Sequence, residues 1–258
     1  MRRIVRAEDV AVMGITEVVR HMPRIYREYL RLKASIRAEK PDLAILIDFP
    51  DVNLSLARTL HQQGTPVLYF VSPQLWAWKR KRLRWVQQRV DRMMVIFPFE
   101  EAFYRARGVD AAFVGHPLAQ LPLPSGTRAE FAAAHQLDTS KHWIALLPGS
   151  RRKEVQLNLP EMLRAATVLN THAEYEFVLP VASTVDEPYL RSFLNDSSPK
   201  ITLVPDAREA LHHARASIVA SGTATVQATI IGNPFVVVYK VSPLTVTAAK
   251  RLIRYPTE

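Results

Sequence analysis

Two short turns in the second half of this sequence are built to meet an anion. Leu147-Pro148-Gly149-Ser150-Arg151-Arg152 reads as the end of an apolar strand, a Gly-Ser turn and the start of a helix. Ala220-Ser221-Gly222-Thr223-Ala224-Thr225 repeats that logic. The first amides of a helix have no partner within it, and the helix dipole adds positive potential there. Small residues let a diphosphate come close to the backbone. Arg151 adds a planar donor fork suited to phosphate. Gln227 lies one turn into the second helix, on the side that can reach a ribose. The glycine spacing and Lys-Ser/Thr ending of a Walker loop are absent. A single such turn is what many ordinary strand-to-helix connections look like; two in one half point to a nucleotide.

The first half carries a different candidate. Asp48 follows the apolar run Leu43–Ile47 and ends a buried strand. A carboxylate at a strand end can take a proton from a substrate hydroxyl. Capping the next helix is the competing role, and it suits Asp51 and Asn53 better than Asp48. Asp48 and Asp51 form a short pair without further metal-ligand spacing, so no metal is expected. Trp76 and Trp78 lie on a strand-to-helix connection, where they stack on a sugar or acyl chain or anchor the loop. The run Lys79-Arg80-Lys81-Arg82 meets a phosphate or a membrane, or is a solvated face. His116 is placed to line a cleft, whereas His212 and His213 read as exposed helix residues.

These residues need an α/β frame, and the sequence supplies one. Strands are expected at Leu43–Ile47, Pro66–Val71, Met93–Phe97 and Ala111–Val114, with helices between them that include a basic one over Lys79–Val90. Gly115 to Arg128 holds three prolines and two glycines and marks a linker. The alternation then restarts with strands at Trp143–Leu147, Tyr175–Leu179, Ile201–Val204, Ser217–Ala220 and Phe235–Tyr239. The reading is a Rossmann-like lobe over residues 1–115, a junction over 116–140 and a second Rossmann-like lobe over 141–258. In open parallel sheets ligands bind beyond the carboxyl ends of the strands, where the segments of Asp48, Trp76 to Arg82, Gly149 to Arg152 and Ser221 to Thr223 fall.

Composition narrows the partners. The 258 residues include no cysteine, which rules out disulfides and thiolate-bound metals. No apolar run is long enough to span a bilayer. The net charge of +10 is uneven, with +8 on residues 1–115 and +2 on the remainder. A nucleic acid, an anionic membrane or a phosphorylated substrate would answer that field, but signatures of nucleic-acid modules are missing and no nucleic-acid partner is expected. Val10–Arg37 has apolar residues at helical spacing, from Val12 to Leu32, interleaved with arginines. Packing on the core explains that pattern, and so does lying on anionic lipid.

Taken together, the segments resemble the lipid-A-disaccharide synthases, bacterial glycosyltransferases of the GT-B fold. The matching stretches are AVMGITEVV (11–19), LIDFPDVN (46–53), YFVSPQLWAW (69–78), FPFEEAFY (97–104), FVGHPL (113–118), LLPGSRRKEV (146–155), ASGTAT (220–225) and VVVYKVSPLT (236–245), in family order. The resemblance implies two Rossmann-like lobes with parallel sheets facing across a cleft. It implies inverting transfer of a diacylated glucosamine from a UDP donor to an acylated glucosamine 1-phosphate acceptor, with release of UDP. Asp48 matches the candidate general base. Arg151, with the backbone of Gly149 and Ser150, and Ser221, Gly222 and Thr223 would bind and stabilise the diphosphate. Gln227 stands where the family usually has a ribose-binding Glu. The resemblance implies no cofactor, a cytoplasmic enzyme peripheral to the inner membrane, docking on its anionic surface, and it allows a homodimer. The family's opening βα unit and its C-terminal segment have no counterpart in the 258 residues, so the fold is expected to be truncated at both ends and the isolated chain to turn over weakly or not at all. Another UDP-sugar enzyme of this fold, such as an epimerase, and a non-catalytic membrane- or nucleotide-binding remnant are the competing readings.

Overall fold

The computed structural model describes residues 15–195 and 199–240, with the side chains of 15–22 and 24 excepted. The start of the helix expected from Val10, its stripe from Val12 to Met22 and the segment beyond Lys240 lie outside that description. The chain divides into two compact units, with the boundary between His116 and Pro117. Among the described residues no helix is long and apolar enough to cross a membrane.

In the first unit a long helix, α1 (Ile15–Glu39), precedes β1 (Ala44–Ile47), α2 (Pro50–Gln62), β2 (Val67–Phe70), α3 (Leu83–Arg89), β3 (Arg92–Val95), α4 (Pro98–Arg105) and β4 (Ala111–Phe113). The strands are parallel in the order β1-β2-β3-β4. Crossovers are right-handed, so a sheet that always steps in one direction puts every connecting helix on one face. That face carries the core. Leu46, Tyr69, Met93, Val95 and Ala111 pack there against Leu54 and Leu60 of α2, Val86 of α3 and Tyr104 of α4. The alternate side chains of β1, Ile45 and Ile47, are 57% and 58% exposed.

The second half of α1 packs on α2. The Tyr29 hydroxyl and Ser55 Oγ lie 2.7 Å apart, and Ile36 leans on the core. This half of the helix therefore serves the core. The basic helix expected over Lys79–Val90 is shorter. Lys79 has a left-handed φ of 50°, Arg80–Arg82 form a 3-10 turn, and α3 begins at Leu83. Four successive cations repel one another and leave no acid to favour a helix N-terminus, while Asp51 draws Lys79 and Arg82 to one carboxylate.

The second unit runs α5 (Arg128–His135), β5 (His142–Leu147), α6 (Arg152–His172), β6 (Tyr175–Pro180), α7 (Glu187–Arg191), β7 (Ile201–Val204), α8 (Ala207–His213), β8 (Ala216–Ala220), α9 (Thr223–Ile231) and β9 (Phe235–Val238). Its parallel sheet has the order β7-β6-β5-β8-β9. Central β5 is buried on both faces, as its unbroken apolar run requires. Trp143, Ala145 and Leu147 join one core with Phe131 of α5, Leu211 of α8 and Ala228 of α9. Ile144 and Leu146 join the other with Val155, Leu159 and Met162 of α6. The chain steps outward from β5 to β6 and β7, then returns to the far side of β5 for β8 and β9. The winding thus reverses between β5 and β8, the point at which open α/β sheets leave a crevice.

Candidate functional site

In the first unit Asp48 sits at the carboxyl end of β1. Asp48 and Phe49 both adopt left-handed backbone, with φ of 47° and 45°. Such conformations are unfavourable for non-glycine residues and persist where neighbours impose them. Three hydrogen bonds do so. The Asp48 amide donates to Phe70 O at 2.9 Å, while its carbonyl accepts from the Tyr69 hydroxyl at 2.6 Å and Asn53 Nδ2 at 2.7 Å. Asn53 also reaches Ile47 O at 2.9 Å. Burial pushes the Tyr69 hydroxyl far up, and the nearby Asp48 charge adds to this, so it stays a donor. The Asp48 carboxylate is left at the surface, without a hydrogen bond to any described residue.

The expected helix cap is corrected here. Helix α2 starts behind Phe49 with Pro50 in its first turn and no side-chain cap. Asn53 holds the preceding strand end instead, and Asp51 turns outward to Lys79 and Arg82. The loop after β2 is held by a residue that sequence reasoning did not single out. Glu100 is 1% exposed; its carboxylate accepts from Ser72 Oγ at 2.7 Å, Trp76 Nε1 at 3.3 Å and Phe97 N at 3.2 Å. A buried charge is tolerated when donors surround it in this way. Trp76 is thereby an anchor of the loop, whereas Trp78 faces solvent. His116 lies against Phe97, with ring centres 5.6 Å apart.

In the second unit both small-residue turns emerge at the reversal point. Paired strands β5 and β8 bring them side by side, with Leu147 in register with Val219. Gly149 has φ 113°, and a Cβ there would lie 2.6 Å from Glu154 Oε2. Glu154 explains the crowding: its carboxylate accepts from Ser150 N at 3.2 Å and Arg151 N at 3.3 Å, and pairs with Arg151 Nη1 at 3.1 Å. In this conformation the turn's anion-seeking groups are offered to the protein's own carboxylate. The turn after β8 is differently engaged. Ser221 N donates to Val238 O at 3.0 Å, and Gly222 has φ 151° and ψ −155°, a region essentially reserved for glycine. Thr223 opens α9, and Gln227 is half-buried one turn further on.

Gly222→Val should therefore cost about 1–3 kcal/mol of stability. A unit of this size should melt several degrees lower, roughly 3–5 °C per kcal/mol. Calorimetric unfolding reads this directly, and an unchanged Tm would mean that the turn does not need the glycine conformation.

Asn158 on α6 ties the site together and was not foreseen. It is 2% exposed. Its Nδ2 donates to Pro148 O at 3.1 Å and its Oδ1 accepts from Lys240 N at 3.0 Å. One amide thus fixes the turn after β5 to the chain leaving β9, the two strands that flank β8. One turn along α6, Glu161 pairs with the Lys240 side chain. Hydrogen bonds from Arg164 and Lys240 hold the Glu161 carboxyl down to about 2. The only sequence signal for Asn158 was a polar residue on the buried stripe of a helix.

His213 also departs from expectation. It is 8% exposed and stacks on Phe131, with ring centres 4.7 Å apart. Burial lowers its pKa. It lies on the buried side of α8 with Ala210, while His212 faces solvent. Among the described residues no three His, Asp or Glu side chains gather as metal ligands would.

Two parallel α/β units, the second with small-residue turns at a reversal point, define a GT-B-type fold. Solved structures share that fold. A UDP-GlcNAc 2-epimerase from Neisseria meningitidis bound to UDP-GlcNAc matches with TM-score 0.56 and 13% identity, over 92% of this chain and 70% of that one. The S. aureus MnaA–UDP co-structure matches with TM-score 0.58 and 13% identity, over 93% and 68%. At such identity the likeness concerns the fold alone. The family described as lipid-A-disaccharide synthetase matches residues 1–256. A lipid-A-disaccharide synthase of Acidobacterium capsulatum is 67% identical over 99% of this chain and 67% of its own length. One from Koribacter versatilis is 51% identical over 97% of this chain and 66% of its own. The chain belongs to the lipid-A-disaccharide synthase family, glycosyltransferases of lipid A biosynthesis, and spans about two thirds of the length of these relatives.

Proposed function

We propose that the chain carries the donor site and the general base of an inverting glycosyl transfer that builds the lipid A disaccharide. The donor is a UDP-linked diacylglucosamine and the acceptor an acylated glucosamine 1-phosphate. Asp48 takes the proton of the acceptor's primary hydroxyl as its oxygen attacks the anomeric carbon. The bond from that carbon to the diphosphate oxygen breaks on the opposite side, and UDP leaves. The Gly149–Ser150 turn, Arg151 and the Ser221–Gly222–Thr223 turn hold the diphosphate, which displaces Glu154 from the loop amides; Gln227 meets the ribose. Positive charge from helix starts and Arg151 serves the leaving group without a metal ion. Both substrates carry acyl chains, so the reaction belongs at the cytoplasmic face of the inner membrane.

The observation that carries this reading is the placement of both turns at the reversal between β5 and β8, in a chain whose family performs sugar transfer. Titration calorimetry of the chain with UDP tests it. Binding should be measurable without added metal, and Arg151→Ala should weaken it by about tenfold or more, as loss of a charge-assisted contact does. Absence of UDP binding, or an Arg151→Ala variant that binds as well, would overturn the donor assignment.

A further inference from the structure

The donor turn after β5 is already occupied, and by the chain itself. As a helix cap, Glu154 at the third position of α6 need accept only the amide of the N-cap residue Arg151. Glu130 of α5 serves its N-cap Thr127 in that way. Glu154 takes more. It also accepts from Ser150 N at 3.2 Å, ahead of the N-cap, and draws in the Arg151 side chain, with Nη1 3.1 Å away. Its side chain packs against Gly149, where a Cβ would come within 2.8 Å of Glu154 Cβ. The carboxylate thus holds the amides and the guanidinium that would receive a phosphate.

These bonds exchange readily. At 3.2 and 3.3 Å the amide contacts are longer than the common length of about 2.9–3.0 Å. The Arg151 and Glu154 side chains are 64% and 36% exposed, so water competes for the pair and it adds little stability. An arriving anion therefore displaces the carboxylate easily. The exchange matters most after transfer. In the donor the outer phosphate is a diester; once the bond to the sugar breaks it becomes a monoester, with a second ionisation near neutral pH. UDP then carries more charge than the diphosphate of the sugar nucleotide, and a cationic turn holds the product more firmly than the substrate. A carboxylate tethered on the same turn competes with it at a high effective concentration.

We propose that Glu154 is an internal competitor for the diphosphate seat, which takes back the Ser150 and Arg151 groups and so speeds the release of UDP. The inference rests on the reading of this turn as part of the donor site. It gives Glu154 a role separate from capping α6, since a cap needs neither the charge nor the second amide.

The test compares the chain with its Glu154→Gln variant by calorimetry, with UDP and inorganic pyrophosphate as separate probes. Glutamine keeps an acceptor for the Arg151 amide, so α6 stays capped and thermal unfolding should be unchanged. Its oxygen is neutral and holds the turn less strongly. Both anions should bind the variant about tenfold more tightly at low salt, and UDP should leave it about tenfold more slowly in stopped-flow displacement. Equal or weaker binding of the anions by the variant overturns the proposal and leaves Glu154 a cap. In the wild-type chain the amide resonances of Ser150 and Arg151 should shift when pyrophosphate is added. Resonances that stay in place would mean that the carboxylate is never displaced, whether or not the variant folds. A wild-type chain and a variant that bind UDP alike lose the competitor alone. Tighter binding of pyrophosphate by the variant, with no UDP binding by either, keeps the competing carboxylate and loses the donor reading.

Discussion

Asp48→Asn should abolish measurable glycosyl transfer while leaving UDP binding untouched. Removing a general base lowers the rate by roughly 10²–10⁴-fold. The amide preserves the size of the side chain and cannot take the hydroxyl proton. The variant should also fold normally, since the contacts that fix this position are made by its backbone. Tyr69 and Asn53 hold the Asp48 carbonyl, and Phe70 O holds its amide. Asparagine tolerates the left-handed backbone at least as well as aspartate does. The comparison needs the protein at the full length of its relatives for the transfer assay, with calorimetry for UDP. A variant that transfers at the wild-type rate would remove Asp48 from the chemistry.

The second large effect is expected at Asn158. Asn158→Ala leaves a buried backbone acceptor, Pro148 O, and the part-buried Lys240 N without the partner they now have. An orphaned buried polar group costs about 1–3 kcal/mol, and the Pro148 carbonyl sets that scale, because Lys240 N can turn to water. Asn158→Asp is the more discriminating change. It keeps the acceptor for Lys240 N but turns an acceptor toward Pro148 O, which repels the turn that carries Gly149 and Ser150. UDP affinity should then fall by more than the lost stability explains, because the turn itself is displaced. Thermal unfolding and UDP titration on both variants separate the two effects. Retention of UDP affinity in Asn158→Asp would show that the turn keeps its place without the bond.

The parts of the fold written in continuous apolar runs were legible in the sequence. Strand β5 is the plainest case, since burial on both faces leaves no room for polar alternation. Helix α5 was not read, because it follows directly on the stretch that prolines and glycines mark as a linker, inside the junction over 116–140. Its signal was nonetheless present: Thr127 and Glu130 form a capping box, with the Glu130 amide donating to Thr127 Oγ1 at 3.2 Å and the Thr127 amide to Glu130 Oε2 at 2.8 Å. Asn53 shows a different limit. An Asn near a helix start reads as a cap, and nothing local reveals that its amide turns back to carbonyls at the end of the preceding strand. His213 was misread because the partner that buries it, Phe131, lies on a separate helix far away in sequence. The candidate site divided along the same line. Its turns and Asp48 stand in short, readable segments. Asn158, Tyr69 and Glu100 act through contacts with residues ten to twenty-eight positions away, except that Glu100 also takes the nearby Phe97 amide and Asn158 reaches farther, to Lys240.

The two strand orders also set how each sheet can assemble during synthesis. In the first unit every pairing among the described residues joins strands that follow one another, Ala44 with Val67 and Leu68 with Arg92, so each strand finds its neighbour as soon as both are made. In the second, β5 must wait for β8, with Ile144 held open until Ala216 arrives. Long closures are slow, and apolar strands left unpaired meanwhile are exposed to aggregation. The reversal that creates the crevice between β5 and β8 is thus also the late step in making this protein.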